Sequence, residues 1–431
     1  MNVFFLAIGG AGLSPLALIA QEAGFHVSGS NRESYSSIEE LKKRGITDIY
    51  IGSSKEQIAR IHEKNPIDWL IYSSAIPLED PNSVELKFAR DMNIKTSKRD
   101  EFINFLVQDK KLQIVAISGT HGKTTTTSMV VWLFKQLGIK VSYLIGGKIE
   151  FGPSGQYQPG SSYFVIEADE FDRNFLSFEP YLSLISGVSW DHHEIFPTRE
   201  DYQQAFREFI EQSKHTFIWE EDSSYLGLDS SSAVSTLKPD DPLINSIKLN
   251  GKYNRQNAYL AIKAVAKLTD SPTSALVTQM DKFPGLGRRM EEIVPNLYSD
   301  YAHTPEKIRA AMNAALELAS KKSTDVVVVY EPLTNRRQHY IKDLYQDSFK
   351  GVKAIYWVPS YLAREDPDLE IIESKELIAR LSDPSVAKPA LLDAELKERI
   401  KSYLSSGDMV VAMSGGGPGG LDEWLRREFS Y

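Results

Sequence analysis

The chain has 431 residues and no cysteine, and its 58 acidic residues outnumber its 49 basic ones, for a formal net charge of −9. This length predicts two to four domains rather than one core. The lack of cysteine excludes disulfides, cysteine-ligated zinc and a thiol nucleophile, and the negative charge argues against nucleic acid or an anionic membrane as a partner. The apolar N-terminus is typical of a first strand rather than a signal peptide, and no run approaches a membrane span, so we expect a cytoplasmic protein.

Residues 1–110 alternate between short apolar runs and amphipathic helical patterns. The first predicted strand, Val3–Ile8, runs into the glycine turn Gly9-Gly-Ala-Gly12, and a helix is predicted from about Ser14 to Ala23. Alternation of this kind indicates a parallel sheet with helices on both faces. We therefore predict an α/β protein whose N-terminal domain is Rossmann-like.

The most informative stretch begins with a buried strand at Ile114–Ile117 and continues through the turn Gly119-Thr-His-Gly122 into a helix opened by Lys123. Backbone N–H groups and the helix N-terminus would face an anion, Lys123 would add a positive charge, and Thr124 would offer a hydroxyl to Mg²⁺. The usual pattern has four residues between the glycine and Gly-Lys, and the loop is two residues shorter here because Gly119 lies only three residues before Gly122. We predict a central ATP-binding domain whose nucleotide contacts are Gly119, Thr120, His121, Gly122, Lys123, Thr124 and Thr125.

Two polar clusters follow later strands of the same domain. Glu167-Ala-Asp-Glu170 follows the strand Tyr163–Ile166, and Asp191-His-His-Glu194 follows Leu182–Ile185. The carboxyl ends of parallel strands lie beside a phosphate crevice, where one carboxylate suffices for Mg²⁺ together with water and phosphate. A histidine there could bind a second metal or orient a phosphate. The alternatives are a solvated acidic loop and a structural histidine pair.

The Gly9–Gly12 turn resembles a dinucleotide-binding fingerprint, but Ala7 stands where the first glycine belongs. Asn31 stands where NAD sites place an acid, which counts against an NAD-dependent oxidoreductase. The following helix N-terminus could still hold a diphosphate, as in a UDP-sugar. A purely structural glycine turn is the alternative.

Phe283–Arg289 contains a proline and two glycines between periodic segments, which predicts a hinge before a C-terminal Rossmann-like unit. Arg288 and Arg289 could reach a γ-phosphate on domain closure, although a solvated basic pair is the alternative. Asn254 and Asn257 lie on one helix face and could hold an adenine edge or simply cap the helix. We predict domains at 1–110, 111–285 and 286–431, and polar loops at 229–242 and 382–389.

Together these stretches resemble the Mur ligase family, the ATP-dependent amide-bond ligases of peptidoglycan synthesis. The short phosphate loop of that family, Gly-Thr-x-Gly-Lys-Thr, matches Gly119–Thr124, and the resemblance spans nearly the whole chain in the family's three-domain order. With His121 at its variable position, the loop resembles that of two members of the family. One adds L-alanine to UDP-N-acetylmuramate, and the other is a recycling ligase that attaches the tripeptide L-Ala-γ-D-Glu-meso-diaminopimelate to the same nucleotide.

The motifs divide between these two members. Gly9–Ser14 and Gly287–Arg289 resemble the L-alanine ligase, whereas Val165–Asp172 and Met413–Gly420 resemble the tripeptide ligase. We favour L-alanine addition. A non-catalytic nucleotide-binding module is a further alternative, against which the intact phosphate loop and acidic cluster argue.

The resemblance implies that the muramyl carboxylate attacks the ATP γ-phosphate and that an amine then displaces phosphate from the acyl phosphate. The implied partners are UDP-N-acetylmuramate and an amino acid or short peptide, with ATP and Mg²⁺ required and a monomer or homodimer expected. It also implies the following roles: Lys123, His192 and Arg288 in catalysis; Thr124, Glu167 and His192 at the metal; Asn254, Asn257 and Asp300 at the adenosine; Gly9, Gly10, Gly12, Ser73 and Ser74 at the UDP.

Three positions bear on the family pattern. Tyr253 replaces the usual histidine of the adenine motif, and Gly187 replaces an asparagine commonly found before the Asp-His pair. Phe206 stands where several relatives carry a carbamylated lysine, which both candidate members lack. The first two departures bear on the identity of the amine donor more than on the ATP chemistry.

Replacing Lys123 with alanine should abolish ATP turnover while leaving the fold intact, because the variant removes the phosphate-binding charge from the loop. A phosphate-release assay on the variant, with circular dichroism as the check on folding, measures this. Near-normal turnover in the folded variant would contradict the ATP site.

Overall fold

The computed structural model describes residues 1–73, 76, 80, 82–191, 195–228, 232–362, 365–366, 368–417 and 419–429. Its described strands form three mostly parallel sheets with helices packed on them, which confirms the predicted α/β class. The chain divides into two compact units, the first comprising Met1–Ile247 with Asn257–Phe283 and the second comprising Lys248–Gln256 with Pro284–Tyr431. The three domain boundaries given above stay a prediction.

The N-terminal part of the first unit is a parallel sheet of five described strands in the order β3-β2-β1-β4-β5. The first strand ends two residues earlier than predicted, because Ala7 adopts a left-handed conformation with φ of 64° and turns the chain. The elements are β1 Asn2–Leu6, α1 Ser14–Glu22, β2 His26–Asn31, α2 Ser36–Lys43, β3 Ile49–Ile51, α3 Lys55–Lys64, β4 Trp69–Tyr72, α4 Val84–Asp91, β5 Lys95–Lys98 and α5 Arg99–Asp109.

The rest of the first unit is built on a sheet of seven described strands in the order β12-β11-β10-β6-β9-β7-β8, of which only the β7–β8 pair is antiparallel. The elements are β6 Gln113–Ser118, α6 Lys123–Gln136, β7 Ser142–Leu144, β8 Gly155–Gln156, β9 Tyr163–Glu167, a 3₁₀ helix Phe171–Ser177, β10 Leu182–Ile185, α7 Arg199–Glu211, β11 Thr216–Trp219, α8 Glu220–Leu226, β12 Val234–Leu237, α9 Pro242–Ser246, α10 Lys252–Thr269 and α11 Thr273–Met280.

In this second sheet β6 lies between β9 and β10 and is parallel to both. The three strands therefore end at the same edge, so the loop after β6 lies beside the residues that follow β9 and β10. The first two sheets are also packed together: a Cβ atom on Gly155 of β8 would lie 2.6 Å from the Pro15 carbonyl oxygen of α1. Glu22 of α1 accepts a 2.6 Å hydrogen bond from the Tyr157 N–H.

The second unit contains six described strands in the order β13-β14-β18-β15-β16-β17, of which only β13 and β14 pair antiparallel. The strand order reverses between β15 and β18, the position at which open α/β sheets bind ligands. The elements are β13 Glu291–Val294, β14 Leu297–Asp300, α12 Pro305–Lys322, β15 Val326–Glu331, α13 Asn335–Ile341, 3₁₀ helices Lys342–Leu344 and Pro384–Val386, β16 Ala354–Trp357, α14 Ser374–Ile378, β17 Ala387–Pro389, α15 Ala394–Ser405, β18 Met409–Ser414 and α16 Leu421–Phe429.

The two predicted polar loops were wrong in part, because each contains a strand: β12 lies within 229–242 and β17 within 382–389. Both strands lie at sheet edges and carry two exposed residues each. A short edge strand pairs on one side only and needs little apolar sequence, so periodicity does not reveal it. Among the described residues, no helix combines the length and the apolar character that a transmembrane segment needs.

Candidate active site

The predicted strand–loop–helix geometry of the phosphate loop is present. β6 ends at Ser118, and α6 begins at Lys123 immediately after Gly122, whose φ is 80°. Gly119 has a φ of 133°, and a Cβ atom there would lie 2.7 Å from the Gly187 carbonyl oxygen. Both positions therefore require glycine, and the N-terminus of α6 follows the turn in the arrangement that favours an anion.

Thr120 and His121 hold the loop against the segment that follows β10. The Thr120 N–H donates to the Gly187 carbonyl at 2.8 Å, and its hydroxyl donates to the Ser189 carbonyl at 2.7 Å. The same hydroxyl lies 2.8 Å from the Tyr202 hydroxyl, and His121 Nε2 lies 3.3 Å from Ser189 Oγ. These side chains therefore shape the loop, while Thr125 lies half-buried in the first turn of α6.

Lys123 forms a buried ion pair that the sequence reasoning missed. Its Nζ donates to Glu170 Oε2 at 2.6 Å and to the Gly119 carbonyl at 2.7 Å, and Asp169 Oδ1 lies 3.7 Å away. Burial disfavours the ammonium, but Glu170 and Asp169 outweigh burial and raise the pKa of Lys123. Lys123 thus stays charged and is held at the loop. The signal for this contact was the last acid of Glu167-Ala-Asp-Glu170, of which only Glu167 was given a role.

The predicted Mg²⁺ ligands Thr124 and Glu167 lie together. The Thr124 hydroxyl donates to Glu167 Oε2 at 3.2 Å, and Glu167 Oε1 accepts the Gly146 N–H at 2.7 Å. Burial raises the pKa of Glu167. A hydroxyl and a carboxylate beside a phosphate loop fit Mg²⁺, which needs few protein ligands. The described part of the chain contains no group of three or more acids or histidines that could hold a metal, and the third predicted ligand, His192, lies outside the described residues.

A cavity of about 260 Å³ in the first unit extends from the glycine turn after β1 to the carboxylates after β9. Gly12 lines it at one end and Glu167 and Asp169 line it at the other. Arg99, also missed in the sequence, lines the cavity beside Gly12: a Cβ atom on Gly12 would lie 2.6 Å from Arg99 Nη1. The predicted UDP-binding turn and the predicted metal ligand therefore face the same space.

Two other residues predicted to bind UDP, Gly9 and Gly10, already use their backbone N–H groups in hydrogen bonds within the protein. The Gly9 N–H donates to Asn31 Oδ1 at 3.0 Å, and the Gly10 N–H donates to the Ala7 carbonyl at 3.0 Å. Asn31 therefore supports the turn rather than contacting a ribose. Ser73 follows β4 at the same sheet edge as the turn, and Ser74 lies outside the described residues.

Asn254, Asn257 and Asp300, which were predicted together to bind adenosine, make different contacts in the structure. Asn257, in the first unit, places its Oδ1 2.7 Å from where a Cβ atom on Gly122 would lie. Asn254, in the second unit, donates from Nδ2 to the Asn250 carbonyl at 2.9 Å. Asp300 accepts the Met290 and Ala302 N–H groups, both at 2.8 Å, and burial raises its pKa. Their contacts with adenine and ribose stay predictions.

The two adjacent arginines at the hinge differ in what they contact. Arg288 donates to the Ser414 carbonyl at 2.7 Å and to the Gly416 carbonyl at 3.2 Å, and its Nε lies 3.5 Å from Asp422. Both guanidinium groups also stack on the Tyr301 ring, with Cζ 4.7 Å from the ring centroid for Arg288 and 5.0 Å for Arg289. Within the described residues the Arg289 guanidinium has no hydrogen-bond or ion-pair partner, and this is what sets it apart from Arg288.

The glycine loop, of which the structure describes residues 414–417 and 419–420, borders the crevice between β15 and β18 in the second unit. Glu331 accepts hydrogen bonds from the Ser414 hydroxyl and from the Leu421 N–H, the latter at 3.1 Å. A Cβ atom on Gly415 would lie 2.7 Å from the His303 ring, so the loop lies directly on it. Burial lowers the pKa of His303 well below its ordinary value, which keeps this imidazole neutral.

Asp222 of α8 supports the segment that braces the phosphate loop. Its Oδ1 accepts the Val188 N–H at 3.0 Å, next to the Gly187 carbonyl that holds Thr120. Burial raises the pKa of Asp222 to about 6, although the hydrogen bond from Val188 opposes this shift.

Known proteins resemble this chain along its whole length. It matches the model of the Mur ligase family, catalytic domain, over residues 2–111 and that of the Mur ligase middle domain over residues 117–238. It is 31% identical to the UDP-N-acetylmuramate–L-alanine ligase of Clostridium acetobutylicum, with 96% of this chain and 95% of that protein covered.

Two solved structures share the fold. The UDP-N-acetylmuramate–alanine ligase of Thermotoga maritima matches with a TM-score of 0.74 and 22% identity, covering 99% of this chain and 98% of that one. The murein peptide ligase of Psychrobacter arcticus matches with a TM-score of 0.64 and 20% identity, with the same coverage.

Replacing Asp222 with asparagine should stabilise the protein at pH 8 by about 1–3 kcal/mol and have no effect near pH 4. Because the pKa is raised in the folded state, the stabilisation from protonated Asp222 is complete below about pH 4 and is lost as the pH rises through 6. Asparagine keeps the acceptor for Val188 without the charge. Urea unfolding at both pH values measures this, with the exposed Asp240→Asn as control; an equal gain at both pH values would contradict it.

The ion pair requires a revision of the Lys123→Ala prediction, because the single variant leaves Glu170, only 1% exposed, buried without its cation. We expect it to lose about 3 kcal/mol of stability or more. The double variant Lys123→Ala/Glu170→Gln should recover most of this loss while remaining inactive. Thermal unfolding measures both, and Lys98→Ala, which breaks the exposed 2.9 Å pair with Asp172, serves as control. Equal instability of the single and double variants would contradict the role of Glu170.

Proposed function

This chain belongs to the Mur ligase family, and from that premise we propose that it is an ATP-dependent ligase that joins L-alanine to UDP-N-acetylmuramate in peptidoglycan synthesis. The observation that carries the proposal is the cavity that Gly12 and Glu167 both line. A UDP-sugar held at the glycine turn would extend its acid toward the phosphate loop. The identity to the C. acetobutylicum ligase supports L-alanine as the donor.

The first step joins two anions, the muramyl carboxylate and the γ-phosphate of ATP, and the charge between them must be neutralised. Lys123 supplies a positive charge that Glu170 and the Gly119 carbonyl already hold in place. Little reorganisation is therefore needed when the nucleotide binds. Mg²⁺ held by Thr124 and Glu167 would add further positive charge at the phosphates. Arg99, at the Gly12 end of the cavity, offers a guanidinium to the diphosphate or the acid of the sugar nucleotide.

Arg289 is the better candidate than Arg288 for the arginine that reaches the γ-phosphate. Both terminal nitrogens of the Arg288 guanidinium donate to carbonyls of the glycine loop, so its withdrawal would break two of the hydrogen bonds that hold that loop. Arg289 stacks on Tyr301 through its face only, which leaves its N–H groups available to a phosphate.

We place the amine donor at the crevice between β15 and β18, where the strand order of the second unit reverses. The donor must lose a proton before its nitrogen attacks the acyl carbon, and a neutral His303 beneath the glycine loop could accept a hydrogen bond from it. The nitrogen–carbon bond then forms as phosphate leaves with the electron pair of the broken carbon–oxygen bond.

A phosphate-release assay with ATP, Mg²⁺ and UDP-N-acetylmuramate tests the proposal, with L-alanine, glycine, L-serine and the tripeptide run in parallel. L-alanine should give the highest turnover. Phosphate release without formation of an amide product from any of the donors would contradict the ligase activity. In the same assay Arg289→Ala should lower kcat about 100-fold at an unchanged melting temperature. Arg288→Ala should instead lower the melting temperature, because it removes contacts that hold the glycine loop. The reverse pattern would assign the phosphate contact to Arg288.

A further inference from the structure

Tyr202 of α7 reaches the phosphate loop, and none of the roles above uses it. Its side chain is fully buried, and its hydroxyl lies 2.8 Å from the Thr120 hydroxyl. The two residues are 82 positions apart in the chain, so the contact depends on how α7 packs on the sheet. A buried hydroxyl is costly unless it forms a hydrogen bond. Tyr202 therefore joins a helix to the loop at one defined atom.

The direction of this hydrogen bond follows from the other contacts of Thr120. The Thr120 hydroxyl donates to the Ser189 carbonyl at 2.7 Å and accepts the Ser189 N–H at 2.9 Å. A threonine hydroxyl has one proton and two lone pairs. Because that proton is used on Ser189, the Tyr202 hydroxyl must be the donor to Thr120. Burial raises the pKa of Tyr202 well above its ordinary value, so the phenol keeps the proton that it donates.

The Tyr202 ring is held in place independently of its hydroxyl. It packs edge-on against Phe196, with ring centroids 5.0 Å apart, and lies 5.1 Å from the ring of Phe206 one turn later in α7. Phe206 packs in turn on Phe175, with ring centroids 5.2 Å apart. Aromatic pairs of this kind stabilise a core beyond the area that they bury. A phenylalanine at position 202 would therefore occupy the same place and would remove only the hydrogen bond to Thr120.

The contact bears on Lys123 through the peptide group between Gly119 and Thr120. The carbonyl of this peptide group accepts a hydrogen bond from Lys123 Nζ at 2.7 Å, and its N–H donates to the Gly187 carbonyl at 2.8 Å. A peptide group is planar, so both bonds form at one orientation of that plane. Rotation of the plane would turn both groups away from their partners. The Tyr202 hydrogen bond helps to fix the Thr120 side chain and so opposes that rotation.

We propose that Tyr202 is a positioning residue that, through Thr120, holds the phosphate loop in the conformation that aims Lys123 at the γ-phosphate. The inference rests on the proposed function, because the reaction requires that charge at the nucleotide. A loop that leaves this conformation part of the time still binds ATP, but it presents Lys123 correctly less often when the phosphate is transferred. The loss should therefore fall on kcat rather than on KM for ATP.

The kinetic test compares Tyr202→Phe with Tyr163→Phe in the full-length protein. Tyr163 is the matched control, because its hydroxyl also donates one hydrogen bond, to the Leu268 carbonyl at 3.3 Å. Tyr163 lies at the amino end of β9, at the opposite edge of the sheet from the loop. With ATP, Mg²⁺, UDP-N-acetylmuramate and L-alanine, Tyr202→Phe should lower kcat about tenfold and change KM for ATP by less than about twofold. Tyr163→Phe should change neither, and the two variants should have similar melting temperatures.

A double-mutant cycle tests whether Tyr202 acts through Thr120. Thr120→Val removes the hydroxyl that accepts the hydrogen bond and keeps the shape of the side chain. In a protein that already carries Thr120→Val, Tyr202→Phe should lower kcat no further. In a protein that carries Thr120→Ser, which keeps the hydroxyl, Tyr202→Phe should still lower kcat about tenfold. Independent losses from Thr120→Val and Tyr202→Phe would overturn the inference.

Hydrogen–deuterium exchange of the protein without nucleotide measures the loop directly. The backbone amides of residues 119–123 should exchange roughly fivefold faster in Tyr202→Phe than in the wild-type protein, because the loop opens more often. Tyr163→Phe should leave their exchange unchanged. This measurement does not depend on which substrates the protein uses.

The outcomes separate the inference from the proposed function. An unchanged kcat in Tyr202→Phe would overturn the positioning role and leave the proposed function standing. A rise in KM for ATP at an unchanged kcat would also overturn it, because Tyr202 would then affect ATP binding rather than the reaction. A wild-type protein that forms no amide product would overturn the proposed function and the role of Tyr202 in the reaction, while the exchange rates would still decide whether Tyr202 holds the loop.

Discussion

The candidate active site depends on the buried ion pair between Lys123 and Glu170. An unpaired ammonium at this depth would lose its proton or pull the loop open, since burial disfavours its charge. The pair keeps the ammonium charged and aimed along the loop before any nucleotide arrives. Glu170 follows Glu167, the predicted Mg²⁺ ligand, by three residues. The carboxyl end of β9 therefore positions both carboxylates of the site.

The order of strands explains why these groups meet. β6 lies between β9 and β10. Because the three strands are parallel, the residues that follow each of them lie at the same edge of the sheet. β9 brings Glu167 and Glu170 to the loop, and the segment after β10 brings Gly187 and Ser189 to its other side. The loop is therefore held from both flanks by backbone and side-chain contacts, and its conformation does not rest on the short glycine sequence alone.

Much of this could be predicted from the sequence, for physical reasons. A buried strand, a glycine turn and a Lys-Thr helix start are local features, and the Thr124–Glu167 contact follows from the rule that parallel strands end together. The interactions that escaped prediction join residues far apart in the chain, such as Arg99 with Gly12, or distinguish neighbours, such as Arg288 from Arg289. Periodicity places a side chain on a face but does not say which partner it meets there. Asn31 illustrates the same limit: its position counted only as evidence against an NAD site, and the structure shows that its side-chain oxygen accepts a hydrogen bond from the Gly9 N–H.

The contact between Gly155 and Pro15 has a consequence for substrate choice. With no room for a methyl group between β8 and α1, the first two sheets are in direct backbone contact at this point. A side chain at position 155 would push α1 away from β8 and so lengthen the cavity between Gly12 and Glu167. If the proposed function holds, such a change would alter which length of acid arm on a sugar nucleotide can reach from the turn to the phosphate loop.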